Sequence, residues 1–343
     1  ARPHYGATPR RCLAPERLRW DPRDSGGAGG PAPAYGWGER MSLTLRRRSS
    51  VTALVGSMAL TLTIGVTPAH GAPWQTRGLE GCKRHVHYNA DKFSTPLRID
   101  NKWLPMRPGT QLTLRGVSKV TGKLLGHTVT TTITDLTKRV NGVKTRVIYE
   151  VDRAHQTKAE AELAFFAQDD KGRVWNLGEY PEEYEDGTFV GAPSTWIAGL
   201  RGAEAGIHML GTPFRTKKHY LQGLAEDVEF LDCAKVIAKD AQVSVPAGDF
   251  SRVLVTDEIS PLDGPNAGSQ QKYHAAGVGV VHVGFKDDPQ GELLDLVEVK
   301  QLSKAEMRTI RKKAMKLERH GLATHDLYSQ TSKATRQLLP RYS

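Results

Sequence analysis

The sequence predicts a mainly β protein, an antiparallel barrel or curved sandwich with a lipocalin-like form among the alternatives, followed by one basic C-terminal α-helix. Three observations carry this. From Thr110 onward, β-branched and aromatic residues alternate with polar ones in runs bounded by Gly, Pro, Asn and Asp, which is the period of a half-buried strand. The joints between runs have hairpin chemistry: Asn141-Gly142, Asp169 to Gly172, and Ala275 to Gly279. Two stretches also repeat a strand, a connection and a Gly-turned hairpin at an offset of 106 to 108 residues, aligning Arg146-Val147-Ile148 with Arg252-Val253-Leu254 and Phe165-Phe166 with Tyr273-His274.

In chain order, residues 1–40 are rich in Arg, Gly and Pro and lack apolar periodicity, so they read as a disordered leader outside the mature protein. Residues 41–72 read as a secretory signal peptide: Met41, a basic Arg46 to Arg48, an apolar run from Val51 to Val66, and small residues from Ala69 to Ala72. That run is shorter than the roughly 18 residues that argue for a membrane span. The expectation is a secreted, extracellular chain whose β-rich domain occupies residues 73–302.

Within it, strands are expected near TQLTLRGV, HTVTTTITDL, TRVIYEV, ELAFFAQD and GRVWNLGE in the first half, and near AQVSVP, SRVLVTDE, QQKYHAA, VGVVHVGF and LLDLVEVK in the second. The middle, Gly191 to Asp227, has scattered Gly and Pro and reads as long loops with a few short strands. The tail changes period. Ser303 and Glu306 stand at capping-box spacing, and a helix is expected to run from there to just before Gly321.

Charge divides along the same boundaries. The chain has a pI near 9.5, but residues 1–72 hold ten Lys and Arg against four Asp and Glu, and residues 303–343 ten against three. The body between them is slightly acidic, so the basic excess does not mark a folded nucleic-acid face, and no specific nucleic acid is expected as a partner. The 303–343 tail is either a solvated helix flanking the barrel or an arm that touches an anionic cell-wall or membrane surface.

The chemistry-bearing candidates are few. Cys82 and Cys233 are the cysteines of the mature chain, and in an oxidising compartment two cysteines most simply pair. His85 and His87 beside Cys82 are weak metal candidates, and neither a bound metal nor a cofactor is expected. No G-x-S-x-G, H-E-x-x-H, P-loop or C-x-x-C occurs in the mature chain. Around the turn at Asp169 and Asp170, acids mix with aromatics: Trp175, Glu179, Tyr180, Glu183, Tyr184 and Asp186. Acids beside aromatic platforms suit a carbohydrate site, or hold a calcium ion although the D-x-D-x-D-G frame is absent, or else pack the aromatics inward and keep a sheet edge soluble. Trp196, His208, His219, Tyr220, Tyr273 and His274 form a scattered second set, some of which would line a barrel interior or mouth. Tyr273 and His274, adjacent in a strand, point opposite ways.

Four segments, LPMRPGTQLTLRG, FFAQDDKGRVWNLGE, VSVPAGDFSRVLVTDE and KYHAAGVGVVHV, together resemble a family of uncharacterised secreted bacterial proteins. That family has a Pro-Gly-Thr opening strand, an Ala-Gln-Asp turn followed by Val-Trp, a Val-Pro-x-Gly-x-Phe turn and a Gly-Val-Gly hairpin. The resemblance spans roughly Asp100 to Lys300, with Ala276 where the family often has Pro. It implies an all-β, lipocalin-like or cupped exported domain and brings no activity with it. The leading expectation is therefore a binding protein for an apolar small molecule or a carbohydrate. The alternatives are an extracellular hydrolase using carboxylates of the 169–186 region, and a structural or interaction protein of the cell envelope.

Overall fold

The computed structural model describes residues 82–120, 123–264, 266–288 and 291–337; the expected leader and signal peptide lie outside the described residues. The strands are β1 (Cys82–Lys83), β2 (Thr110–Val120), β3 (Lys123–Val140), β4 (Val143–Ala154), β5 (Thr157–Gln168), β6 (Val174–Glu185), β7 (Thr188–Gly191), β8 (Trp196–Ile197), β9 (Glu204–Met209), β10 (His219–Ala225), β11 (Phe230–Val245), β12 (Gly248–Ile259), β13 (Ser269–Ala275), β14 (Gly279–Lys286), β15 (Glu292–Gln301) and β16 (Thr335–Arg336). Two helices, α1 (Lys304–Thr324) and α2 (Asp326–Ser329), lie between β15 and β16.

The hairpin turns do what their chemistry requires. Asn141 and Gly142 both take positive φ, +42° and +82°, the pairing that lets two residues reverse a twisted ribbon, and Asp186 and Gly187 repeat it at +48° and +80°. Each expected strand of the two halves then pairs antiparallel with its neighbour, from β2 to β6 and from β10 to β15. The halves meet twice. β15 pairs with β2, and β9 pairs with both β6 and β10, so twelve antiparallel strands among the described residues close on themselves as a barrel. Closure leaves no open edge in the wall.

The central stretch, expected to hold long loops with a few short strands, does hold short strands, and two of them, β9 and β10, close the barrel. Their role in closure rests on glycine: a Cβ on Gly206 would stand 2.2 Å from the backbone carbon of Gln222, so only glycine allows β9 to approach β10 so closely. β1 adds to β10 in parallel, and the Cys82–Cys233 disulfide joins that edge to β11 across 151 residues of sequence.

Both faces of the wall over β3 to β6 are covered. Outside, Leu136, Val147, Leu163, Phe165, Leu177 and Tyr180 are buried, and α1 and α2 pack on them: Tyr328 stacks on Tyr180 at 4.3 Å and on Phe165 at 6.2 Å. The capping box forms as the spacing predicts, with the Ser303 hydroxyl accepting from the Glu306 N–H and the Glu306 carboxylate from the Ser303 N–H. The helix does not stop at Gly321. Gly321 is where α1 crosses Tyr180, whose ring carbon would lie 2.6 Å from a Cβ there, so this glycine serves close packing and not termination. No helix among the described residues is long and apolar enough to cross a membrane.

Candidate functional site

A strand's side chains alternate between faces, and directly paired residues share a face, so register alone sorts the wall into inward and outward sets. One inward row runs Leu114, Val129, Asp152, Glu160, Glu183; the next runs Leu112, Thr131, Glu150, Glu162. Across the barrel, Tyr220, Ala234, Glu258 and Gln270 form one row, and Val236, Thr256, Lys272 and Val283 another. A ring of twelve strands is wider than the eight or so whose side chains fill a barrel. Accordingly, these rows surround a cavity of about 220 Å³.

The cavity has two unlike walls. Leu112, Leu114, Val129, Val280, Val283 and Leu294, from β2, β3, β14 and β15, make a largely apolar one, interrupted by Thr131 and Glu292. Opposite are Glu150, Glu162, Asn176, Glu179, His208 and Gln222, and next to these Asp232, Glu258, Gln270 and Lys272. One end is covered by Leu104, Pro105 and Met106. Asn101 holds that cover: its amide donates to the carbonyls of Gly172 and Leu210, and its side-chain oxygen accepts from the N–H groups of Trp103 and Leu104.

The ionisable groups of the cavity are tuned by burial and by each other. Burial works to raise the Glu258 pKa, but the Lys272 ammonium, 2.7 Å away, overrides it and brings the carboxyl down to about 2. The Thr256 hydroxyl also donates to Glu258 at 3.1 Å. Burial dominates at Asp232, whose carboxyl is pushed up to about 8 although the Ser260 hydroxyl donates to it at 2.7 Å. Burial, with Lys272 adding to it, lowers His208 to about 4, so this imidazole is neutral at pH 7 and rests edge-on to Phe166 at 5.1 Å. Toward the Asp152 end, the His127 ring lies between Asp152 and Glu292, with Nδ1 2.5 Å from the latter. Burial alone would lower its pKa, but the two carboxylates raise it to about 9.

Of the residues singled out in the sequence, Glu179 and His208 line the cavity. Glu179 accepts from the Asn176 amide at 2.6 Å and from the Trp196 indole N–H at 3.4 Å; Trp196 itself stacks on Phe230 and backs the wall. Glu183 faces inward opposite Glu160, and burial raises its pKa. The remaining members stand outside the cavity. Trp175 lies on the outer face between Tyr88 and Phe93 and donates its indole N–H to Asp169. Asp169 is a buried turn clamp that also accepts from the N–H groups of Lys171 and Arg173 and from the Arg173 side chain. Tyr180 and Tyr184 both donate to Glu182 beneath α1. Asp186 is exposed in its turn, and Tyr273 faces outward against His282. His85 and His87 are exposed on the N-terminal segment, and no group of three His, Cys, Asp or Glu among the described residues is arranged to hold a metal ion.

The fold and its interior define a closed β-barrel with a ligand-sized, two-walled cavity. No family model and no curated protein matches the chain. Among solved structures it is similar to a Bacteroides fragilis protein described as exported and of YmcC-like fold, at 12% identity over 58% of this chain and 99% of that one, with a TM-score of 0.32. It is also similar to a Parabacteroides distasonis protein described as a lipoprotein, at 12% identity with the same coverage and a TM-score of 0.28. Similarity at that level transfers no residue role.

Proposed function

We propose that this is an exported binding protein that holds a small molecule inside its barrel. The observation that carries the reading is the cavity itself: about 220 Å³ of interior space, larger than the roughly 150 Å³ engineered cavity that takes benzene, bounded by an apolar and a polar wall instead of packed side chains. The signal-peptide pattern at Met41 to Ala72 supports export. A thermal-shift scan of the purified domain against amphiphiles and glycans tests the binding. A compound that raises the melting temperature should lose its effect when Val129→Trp fills the apolar wall; no stabilising compound in either class counts against the reading.

A second, compatible reading concerns where such a protein would sit. Lys304, Arg308, Lys312, Lys313, Lys316 and Arg319 are exposed on α1 and have no ion pair among the described residues. Beside them, Phe189 and Val190 are 38% and 50% exposed on the β6–β7 hairpin, and Phe189 touches His320 of α1 at 4.7 Å. A basic helix face flanked by an apolar tip fits an anionic lipid surface.

A further inference from the structure

The polar side chains that line the cavity are, with one exception among the described residues, already engaged. Thr131 donates to Glu150, the Asn176 amide to Glu179 at 2.6 Å, and the Gln270 amide to Glu292 at 3.0 Å. Lys272 pairs with Glu258 at 2.7 Å, the Ser260 hydroxyl donates to Asp232 at 2.7 Å, and the Gln222 amide reaches Glu258 at 3.4 Å. Glu162 is not free either. The exception is His208. Its ring lines the cavity, and neither ring nitrogen has a hydrogen-bond partner among the described residues, although its backbone carbonyl accepts from the Gln222 amide at 3.3 Å.

The backbone supplies a second observation. Val174 and Trp175 are consecutive on β6, but their partners on β9 are Met209 and Ile207, so His208 is an extra residue inserted into the ladder. Such a bulge re-aims the side chain it carries and is common beside binding sites. Phe166 steadies the ring by edge-on contact. Even an unperturbed imidazole is mostly neutral at pH 7, and burial makes this one more so. A neutral ring presents one N–H donor and one acceptor nitrogen. Left bare inside a barrel, the two cost free energy that a bound group able to both donate and accept recovers.

We propose that the molecule held by the barrel is an uncharged amphiphile, a hydroxyl or carboxamide on an apolar arm, with its head hydrogen-bonded to the His208 ring and its arm against Leu112, Val129 and Leu294. This rests on the reading of the barrel as a binding protein and adds the ligand's head group and its lack of charge. A hydroxyl or carboxamide both donates and accepts, as the ring requires. An ammonium only donates and a carboxylate only accepts. Neither ion finds an unpaired counter-charge, because Lys272 and the carboxylates of the wall already have partners. A sugar, with hydroxyls on all sides, leaves the apolar wall unfilled.

Three probes with the same ring and similar length separate the possibilities by calorimetry at pH 7: 2-phenylethanol, 2-phenylethylamine and 3-phenylpropanoate. The alcohol should bind at least ten-fold more tightly than either ion. His208→Phe keeps an aromatic ring beside Phe166 and removes both nitrogens, so the alcohol's advantage should fall several-fold while circular dichroism and melting show a folded barrel. In the unaltered protein the His208 ring signals should shift in NMR when the alcohol is added, which tests the contact even where the variant fails to fold. Equal or tighter binding of the amine or the acid overturns the head-group assignment and leaves the binding reading standing. An advantage undiminished in His208→Phe, or ring signals that the alcohol leaves unmoved, overturns the role of His208 and the proposal with it. Absence of binding by all three overturns the proposal as well, and the amphiphile and glycan scan then decides the broader reading.

Discussion

The Lys138 ammonium lies 2.8 Å from the Glu318 carboxylate on the outside of the barrel, where both side chains are withdrawn from solvent. Lys138 also donates to the Ser332 carbonyl at 2.6 Å and lies over the Tyr328 ring at 4.3 Å, while Glu318 accepts from the Tyr328 hydroxyl and the Ala334 N–H. Burial lowers the Lys138 pKa, and Glu318 partly restores it. With Arg311 bound through two nitrogens to Asp135, this pair fastens α1 to β3. Removing one partner strands the other, so Lys138→Met should cost about 3–5 kcal/mol in urea unfolding, and Lys138→Met with Glu318→Leu should recover part of it. A single-variant cost below about 1 kcal/mol would show that the pair does not hold the helix. For the same reason, deleting residues 303–343 would unwrap the wall as well as remove charge.

His127 gives the barrel a defined pH response. Its pKa of about 9 exceeds the ordinary value near 6.5, so the folded state holds a proton that the unfolded state releases between those values. Its contribution to stability is therefore complete below about pH 6.5 and is lost as pH rises through about 9. The raised Asp232 carboxyl acts in the same direction at lower pH, between its ordinary range and about 8. Titration of the His127 ring signals by NMR should show a midpoint near 9; one at or below 6.5 contradicts the clamp by Asp152 and Glu292.

Cys82 and Cys233 close a loop of 151 residues of separation and sit in a small buried cluster with Leu221, Leu224 and Leu231. Replacing both by Ala should cost about 2–5 kcal/mol by freeing the unfolded chain, and should release the two-residue β1 from β10. Hydrogen exchange should then rise at Cys82 and Lys83 in the variant background and stay unchanged in β3 and β4. Uniform acceleration would mean that the bridge supports the whole barrel.

The exposed face of α1 predicts a lipid preference. Sedimentation with phosphatidylglycerol vesicles should exceed that with phosphatidylcholine vesicles, weaken between low and physiological salt, and fall in Lys312→Glu/Lys316→Glu. Phe189→Ser should reduce binding without changing the salt slope, since it removes apolar contact and leaves charge intact. Equal sedimentation with both lipids removes the attachment reading and leaves the cavity unaffected.

Much of the wall was legible because a strand's period is local. β2, β4 and β12 to β15 read directly from alternation, and their turns from Asn-Gly and Gly-Val-Gly. The site was less legible for a physical reason. Alternation assigns residues to two faces but names the inward one only when the other face is wet, and here Val147 and Ile148, adjacent and on opposite faces, are both buried. The cavity-lining acids Glu150 and Glu162 therefore stood unmarked within apolar runs. The acids that drew notice between Asp169 and Asp186 stood beside aromatics, and those aromatics pack under α1 or under the N-terminal segment.

The order of strands around the barrel also fixes an order in time. Among the described residues β2 is the first long strand to leave the ribosome, yet one of its two neighbours is β15, whose residues 292–301 come almost two hundred positions later. Until then β2 presents a free hydrogen-bonding edge, and β6 presents another until β9 arrives. The nascent chain is thus a growing curved ribbon with two adhesive borders, and the last long strand removes one of them. A chain truncated before Glu292 would keep that border, and its expected fate is self-association through β2.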